Sequence, residues 1–374
     1  MQGVPVQDRH ALLAGLGGRT VLVTGGAGLI GHRIVARLRV LGARPVALCK
    51  LDAYPEHIYQ NVFGLDPHDP DVVAGDVQNA GLVRQLVQRS DYVIHAAALA
   101  DVAACTRLPM AAIHNNITGT QTVLDAVAAA EGVQRLVFVS SASVYGNGGP
   151  EDWASPDDEH RTTRELLQTV FDGRTPPQFH ERRELRPMSV YGNTKAFGER
   201  QTELVLGAIG TPYTIVRYFS VYGEPQVVKP HSHSWVVAWF SARAEVGLPL
   251  HLNGGGRQVR DLVHVNDIAE GTIRALVAPP TDSATVNIGT GTPTSIRQVA
   301  TLVARHHDKT KFLDTPMPPG DPLGGYASTR HMEEVLGWKP GITIAEGVAR
   351  YVAWLRRTPA AIPDWLREQS RAGT

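Results

Sequence analysis

Cysteine is almost missing from this chain: Cys49 and Cys105 are the only 2 among 374 residues, which excludes a disulfide framework and a cysteine-rich zinc centre. An excess of either charge is missing too. The 36 Lys and Arg residues balance 36 Asp and Glu, which argues against a nucleic-acid or membrane-surface binder, because both draw on a basic excess. No apolar run approaches the ~20 residues that span a bilayer. The N-terminal stretch, with Asp8, Arg9 and His10, lacks the apolar core of a signal peptide, so a cytoplasmic protein is expected. What is present suits a folded chain: 43% hydrophobic and 19% charged residues allow a sizeable core. The length suffices for one large or two joined domains at ~100–200 residues each.

From Arg19 onward, short apolar runs alternate with helical patterns. The strand-like runs are Thr20–Thr24, Pro45–Leu48, Tyr92–His95, Arg135–Ser140 and Tyr213–Tyr218; helical spacing marks Leu29–Leu41 and Ile117–Ala130. Apolar strands alternating with helices build βαβ units, whose parallel sheet is covered on both faces. The predicted fold is α/β, a doubly wound, Rossmann-like parallel sheet with a smaller, mixed C-terminal lobe. The expected organisation is an extension over 1–18, a dinucleotide-binding domain over 19–223 and a substrate lobe over 224–374, parts of which can return to the first domain. An acidic, Pro/Gly-rich insertion at 147–184 interrupts the rhythm, with helical spacing at Thr162–Phe171. An insertion of that length is either functional or disordered.

Thr24–Gly31 reads TGGAGLIG, between a strand and a helix. Gly25, Gly28 and Gly31 permit a tight turn and close backbone approach. The helix that opens with Leu29 and Ile30 offers free N–H groups and a positive dipole end to a pyrophosphate. The acidic residue expected to hold a ribose at the end of the second strand is missing: Cys49 stands there, followed by Lys50. Loss of that carboxylate removes repulsion against a 2′-phosphate, which Lys50 or Arg33 can attract, while Asp52 can still reach a ribose hydroxyl. An ordinary strand end with surface charges accounts for the same residues equally well. NAD is the expected cofactor, with NADP the alternative.

Tyr191 and Lys195, in YGNTK, share one face of a helix. A nearby ammonium stabilises phenolate, so the tyrosine pKa is expected to fall, and a nicotinamide cation would add to this. Ser141, in SSASVYG, follows the run RLVFV at a strand end, where doubly wound sheets bind ligands. Its hydroxyl can hydrogen-bond a reacting oxygen. Each signal alone is weak, since Tyr–Lys spacings and serines in polar turns are common; their order and context carry the weight.

Further stretches join these: GDV at 75–77, HAAA at 95–98, NNITGT at 115–120, RYFSVYG at 217–223, GGGRQVRDLVHVNDIAEG at 254–271, VNIGTG at 286–291 and LGWKP at 336–340. With them the chain resembles the extended short-chain dehydrogenase/reductase family, in its nucleotide-sugar epimerase/dehydratase branch, over roughly residues 19–355. The resemblance implies that Gly25, Gly28, Leu29, Ile30 and Gly31 hold a pyrophosphate. It places Lys50, Asp76 and Val77 at the adenosine end, Ala97 and Ala98 along the cofactor channel, Asn116 in support and Tyr218 near the nicotinamide. Ser141, Tyr191 and Lys195 are implied to be catalytic, the last two also touching the cofactor. Ser143, Ser220 and Arg260 would contact the substrate, Arg260 gripping a diphosphate through paired hydrogen bonds.

Departures from the family pattern narrow the reaction. Dehydratases of this branch carry an Asp-Glu pair where this chain has Ala142 and Ser143, so 4,6-dehydration is not expected. The decarboxylases that keep the Glu are demoted as well. Ser220 replaces the family's diphosphate-binding Asn. Pro318 replaces an Arg that commonly precedes the segment Pro319-Gly320-Asp321, leaving more of the clamping to Arg260. The leading expectation is a nucleotide-sugar 4-epimerase acting through a transient 4-keto sugar. The alternative is an NADPH-dependent nucleotide-linked 4-ketosugar reductase. A third reading, a cofactor-sensing regulatory or scaffold protein without catalysis, is opposed by the intact Ser141, Tyr191 and Lys195. A nucleotide-diphosphate sugar is the expected partner.

A homodimer through helices near Ile117–Ala130 and Tyr191–Leu206 follows from the resemblance, although plain core packing explains the same apolar residues. No metal is expected, because His231, His233, His306 and His307 lack ligand partners at zinc-like spacing. His95 reads as a satisfied buried residue, Cys105 as inert, and Trp235 with Trp239 as a helix face packed on the core. The 147–184 insertion, just before Tyr191, is expected to shape or lid the sugar pocket.

Overall fold

Apolar residues alternate face along each strand of the main sheet, and that alternation places the core on both sides of it. The computed structural model describes residues 13–148, 176–230, 235–278, 283–317 and 323–372. Most of the 147–184 insertion, including Thr162–Phe171, and the segments His231–His233 and Pro318–Asp321 lie outside the described residues. The strands are β1 (Thr20–Thr24), β2 (Arg44–Cys49), β3 (Val72–Ala74), β4 (Tyr92–His95), β5 (Arg135–Ser141), β6 (Gln178–Phe179) and β7 (Tyr213–Tyr218). They continue with β8 (Ser220–Tyr222), β9 (Leu250–Asn253), β10 (Val259–His264), β11 (Ala284–Ile288), β12 (Pro293–Ser295), β13 (Phe312–Thr315) and β14 (Tyr326–Ala327). Each strand read from the sequence forms within a residue or two of its expected bounds.

Among the described residues the main sheet has 7 strands in the order β3-β2-β1-β4-β5-β7-β11, and every pairing in it is parallel. The fold is the doubly wound α/β sheet that the alternation predicts. Val21, Val23, Val137, Val216 and Val286 face the helices Leu29–Val40 and Val265–Val277. Leu22, Leu136, Phe138 and Ile215 face the helices Ala80–Val87, Gly119–Ala128 and Val190–Ile209. Strand order reverses between β1 and β4, and a crevice opens at the carboxyl ends of strands at such a point.

A second apolar cluster lies toward the C-terminus, where Phe240, Leu250, Leu252, Val303, Tyr351 and Leu355 pack together. Trp239 stacks on Trp365 at 6.2 Å, so the Trp235–Trp239 face is core packing, as its spacing suggests. Strand β10 pairs with β8 and β12 in a small separate sheet. Carboxylates of the RDLVHVND stretch fasten the loops around that sheet. Asp261 accepts from the backbone N–H groups of Thr290, Gly291 and Ala327, and Asp267 from those of Gly341 and Ile342. Among the described residues no helix is long and apolar enough to cross a membrane.

Candidate active site

The glycine turn is sterically obligatory. Gly25 has φ +72°, and a Cβ there would lie 2.9 Å from the Ala97 backbone nitrogen. A Cβ at Gly31 would lie 2.1 Å from the Gly25 carbonyl oxygen, so any side chain would push the helix off the turn. That helix starts at Gly28 with no side-chain cap and no acidic residue in its first turn. Gly28, Leu29 and Ile30 are partly exposed there. Uncapped N–H groups at the positive end of a helix dipole suit a diphosphate.

The neighbouring strand ends gather around the glycine turn. The Gly25 N–H donates to the Leu48 carbonyl at 2.7 Å and the Gly75 N–H to the Cys49 carbonyl at 2.9 Å, which brings the ends of β1, β2 and β3 together. Lys50 forms an ion pair with Asp76 at 2.8 Å and donates to Asn115 Oδ1 at 3.0 Å. Partial burial works against the Asp76 carboxylate, but Lys50 and the Gln78 N–H outweigh it and hold its pKa below the usual range. Val77 is buried against Gly119. The Ala97 N–H donates to Thr24 Oγ1 at 3.1 Å, and Ala98 is partly exposed on the same strand end.

Ser141 ends β5, in register with Tyr218 of β7. The helix Val190–Ile209 is capped by Ser189, whose Oγ accepts from the Gly192 N–H at 3.0 Å. A Cβ at Gly192 would lie 2.6 Å from the Ser143 carbonyl oxygen, so glycine beside Tyr191 lets the helix seat against the Ser141–Ser143 turn. The Tyr191 phenol there faces the Ser141 side chain, which favours its ionised form. Ser141 Oγ in turn donates to Ser143 Oγ at 3.0 Å. Lys195, one helical turn on, donates to the Val139 carbonyl at 2.7 Å, and its ammonium sits 6.0 Å from the Tyr191 ring centre and 5.2 Å from that of Phe138.

The electrostatics correct one expectation. Burial pushes the Tyr191 phenol up to about 12, partly offset by Ser141, and pushes the Lys195 ammonium down to about 8. The lysine therefore does not pull the phenol down in the protein alone. Burial penalises both ions, and the ammonium is directed at a backbone carbonyl rather than at the phenol. Cys105 donates to the Leu99 carbonyl at 3.2 Å, and burial raises its thiol to about 11, which makes it inert.

Two buried networks hold this arrangement. In the first, Asn116 sits in the π-helical turn Ile113–Thr118. It donates to the Leu99 carbonyl at 3.1 Å and to Thr194 Oγ1 at 3.0 Å, and accepts from the Leu99 N–H at 2.7 Å. His95 is joined to Thr24 at 2.8 Å through Nδ1 and to Thr120 at 3.0 Å through Nε2. Thr120 donates to the Asn116 carbonyl, which assigns the His95 proton to Nε2. With both nitrogens satisfied, burial lowers its pKa to about 3. His95 is the buried, satisfied residue that its position suggests.

The second network centres on the buried Glu199–Arg217 pair. Glu199 accepts from Arg217 Nε at 2.9 Å and Nη2 at 2.6 Å and from Ser140. Arg217 reaches the Tyr145 hydroxyl at 2.8 Å, and Tyr145 donates to Asn287 of the VNIGTG stretch at 2.8 Å. The one sequence signal was an arginine inside the otherwise apolar run YTIVRY.

Ser220 begins β8 two residues after Tyr218, and Arg260 stands on the adjacent β10. Arg260 is half-buried and donates to its neighbour's carbonyl, that of Val259, at 2.7 Å. A Cβ at Gly324 would lie 2.5 Å from its Nη1. The Tyr218 hydroxyl meets Thr272 at 2.6 Å, so its side chain belongs to the core behind the crevice.

Comparison with known proteins places this geometry. A family model, that of the NAD dependent epimerase/dehydratase family, matches residues 21–289. The chain belongs to that family. This family member is 30% identical to the dTDP-L-rhamnose 4-epimerase of Burkholderia thailandensis, over 90% of this chain and 95% of that protein. It superposes with TM-score 0.77 on a UDP-glucose 4-epimerase of Thermotoga maritima solved with UDP-glucose, at 27% identity over 91% of this chain and 99% of that one. A Thermus thermophilus UDP-glucose 4-epimerase in complex with NAD gives TM-score 0.74 at 29% identity, covering 90% and 99%. The chain is an enzyme of this family.

Proposed function

We propose that the chain is a nucleotide-sugar 4-epimerase that works through transient oxidation at C4, with NAD held in the glycine turn. The observation that carries this reading is the Tyr191–Ser141 hydroxyl pair with Lys195 one turn on, beside a turn with no carboxylate at Ala142 or Ser143. The NAD-bound and UDP-glucose-bound relatives support it.

A bound nicotinamide supplies a reversible acceptor for the C4 hydride. Ser141 hydrogen-bonds the C4 oxygen and Tyr191 takes its proton, so both act on the same atom. Burial keeps the phenol protonated in the protein alone, and positive charge brought in with the cofactor favours the phenolate. Lys195 fixes the tyrosine's surroundings and holds the cofactor ribose. The Glu199–Arg217 pair anchors the helix that carries both. Inversion requires the keto sugar to present its other face, after which Tyr191 returns the proton. Ala142 and Ser143 offer no acid–base pair for loss of water, which favours epimerisation over dehydration. The lobe after Glu224, with Ser220 and Arg260, is assigned to the nucleotide diphosphate. Exposed Phe197 and Leu204, at 41% and 52%, with Leu108 and Met110 at 57% and 59%, form an apolar face that a second copy of the chain would cover.

Purified without added cofactor, the protein should sediment as a dimer and release oxidised nicotinamide dinucleotide on denaturation, because an epimerase recycles its cofactor within each turnover. An empty protein that consumes NADPH with a 4-keto sugar would instead establish the reductase.

A further inference from the structure

Two cations beside the glycine turn are already engaged: Lys50 is paired with Asp76, and Arg33 donates through Nη2 and Nε to the Glu224 carbonyl at 2.8 and 3.3 Å. Lys229 is not. It is half-buried, and among the described residues its ammonium makes no hydrogen bond or ion pair. It rests on the face of the Tyr54 ring, 4.2 Å from the centre. An ammonium partly removed from water with only a ring to face is poorly compensated, and burial holds its pKa below the usual range.

Lys229 ends a strap that begins at Gly223. The strap is tied to the helix Leu29–Val40 through Arg33 and Glu224, and to the C-terminal cluster through Val227, Val228 and the Tyr351 hydroxyl, which donates to the Gln226 carbonyl. The charges that act on the ammonium are Asp101 and Asp52, in the loops after β4 and β2. Those strands flank β1, so a group that feels both loops lies over the carboxyl end of β1, where the glycine turn begins. The ring contacts agree. Tyr54 lies 5.2 Å from Phe63 and Phe63 lies 5.3 Å from His32, whose Nδ1 donates to the Gly28 carbonyl at 3.0 Å. Asp101 is occupied in capping the helix Val102–Arg107 through the Ala104 N–H at 2.8 Å, and Asp52 is exposed. Both carboxylates repel an anion in this crevice, and a cation between them offsets that repulsion.

We propose that Lys229 is a diphosphate-binding residue, brought to the glycine turn from the C-terminal lobe by this strap, so that one ammonium ties the strap to an occupied turn. The inference rests on the reading that the turn holds a nicotinamide dinucleotide, and it adds a residue that the glycine pattern does not contain. On a phosphate oxygen the ammonium exchanges a cation–π contact for a charge-assisted hydrogen bond. The strap belongs to the lobe assigned to the nucleotide sugar, so the diphosphate of that substrate is the competing source of the same chemistry.

Calorimetric titration of the cofactor-stripped full chain with NAD, ADP-ribose and UDP separates the two sources without turnover. Lys229→Met keeps an unbranched stem against Tyr54. It should weaken NAD and ADP-ribose by about tenfold, the scale of one charge-assisted hydrogen bond, while changing UDP by less than about threefold. NAD affinity should also fall less steeply with added salt in Lys229→Met than in wild type, because one screened attraction is gone. A variant that binds NAD as wild type does, that weakens UDP instead, that weakens all three ligands alike, or that keeps the wild-type salt dependence would overturn the assignment and leave the epimerase reading intact. Wild-type protein that binds no nicotinamide dinucleotide would overturn both.

Discussion

Tyr191→Phe should lower kcat by about 10²–10⁴-fold, the usual contribution of a positioned proton-transfer group, with the fold and cofactor retention unchanged. The ring stays, so the seat against the Ser143 backbone set by Gly192 stays. Only the hydroxyl beside Ser141 is lost, and Ser141 keeps Ser143 as a partner. Even a full hydrogen bond at that hydroxyl would be worth only about 1 kcal/mol, too little to unfold the chain. The check pairs steady-state turnover with circular dichroism and an assay of bound dinucleotide on the same sample. Wild-type turnover in the variant would remove Tyr191 from the chemistry.

Lys195→Met should separate function from stability in opposite directions. Turnover is lost with the ammonium. The cofactor-free protein, however, should become more stable at pH 7, because burial depresses the Lys195 pKa from 10.5 to about 8. At ~1.4 kcal/mol per pH unit, keeping that ammonium charged costs roughly 3 kcal/mol, and forfeiting the Val139 hydrogen bond returns about 1 kcal/mol of it. The sign with pH follows from proton uptake. Between about 8 and 10.5 the unfolded chain binds the proton and the native protein does not. Wild-type stability contributed by this group therefore rises through that window. The advantage of Lys195→Met should be full below pH 8 and fade toward pH 10.5. Thermal melts of stripped protein at several pH values measure it. A variant less stable than wild type at pH 7 would show that the ammonium is held more favourably than its burial indicates.

Local pattern made much of the molecule legible. The short apolar runs, the TGGAGLIG turn and the strand-end Ser141 each depend on neighbours in sequence, and each forms where its pattern places it. What could not be read depends on distant partners. Arg217 looks like an edge charge until β7 is placed beside β5, where it meets Glu199 in a fully buried pair. Arg33 looks available to a phosphate until the segment at Glu224, far along the chain, supplies its carbonyl. The pKa direction of Tyr191 departs from what its spacing to Lys195 suggests for the same reason. Spacing on one helix reveals that Lys195 is near, but not that the surrounding elements desolvate both groups or that Val139 draws the ammonium away. Asn116 gains its place through a π-helical turn that periodicity does not signal.

Transient oxidation at C4 leaves a mark that can be followed by carrying UDP- and dTDP-hexoses labelled with deuterium at C4 through the reaction and reading the product by NMR. The expected product is inverted at C4, with the deuterium retained on that carbon and no net consumption of nicotinamide cofactor. Loss of the label to solvent, absence of inversion across the panel, or stoichiometric use of NADPH would contradict it.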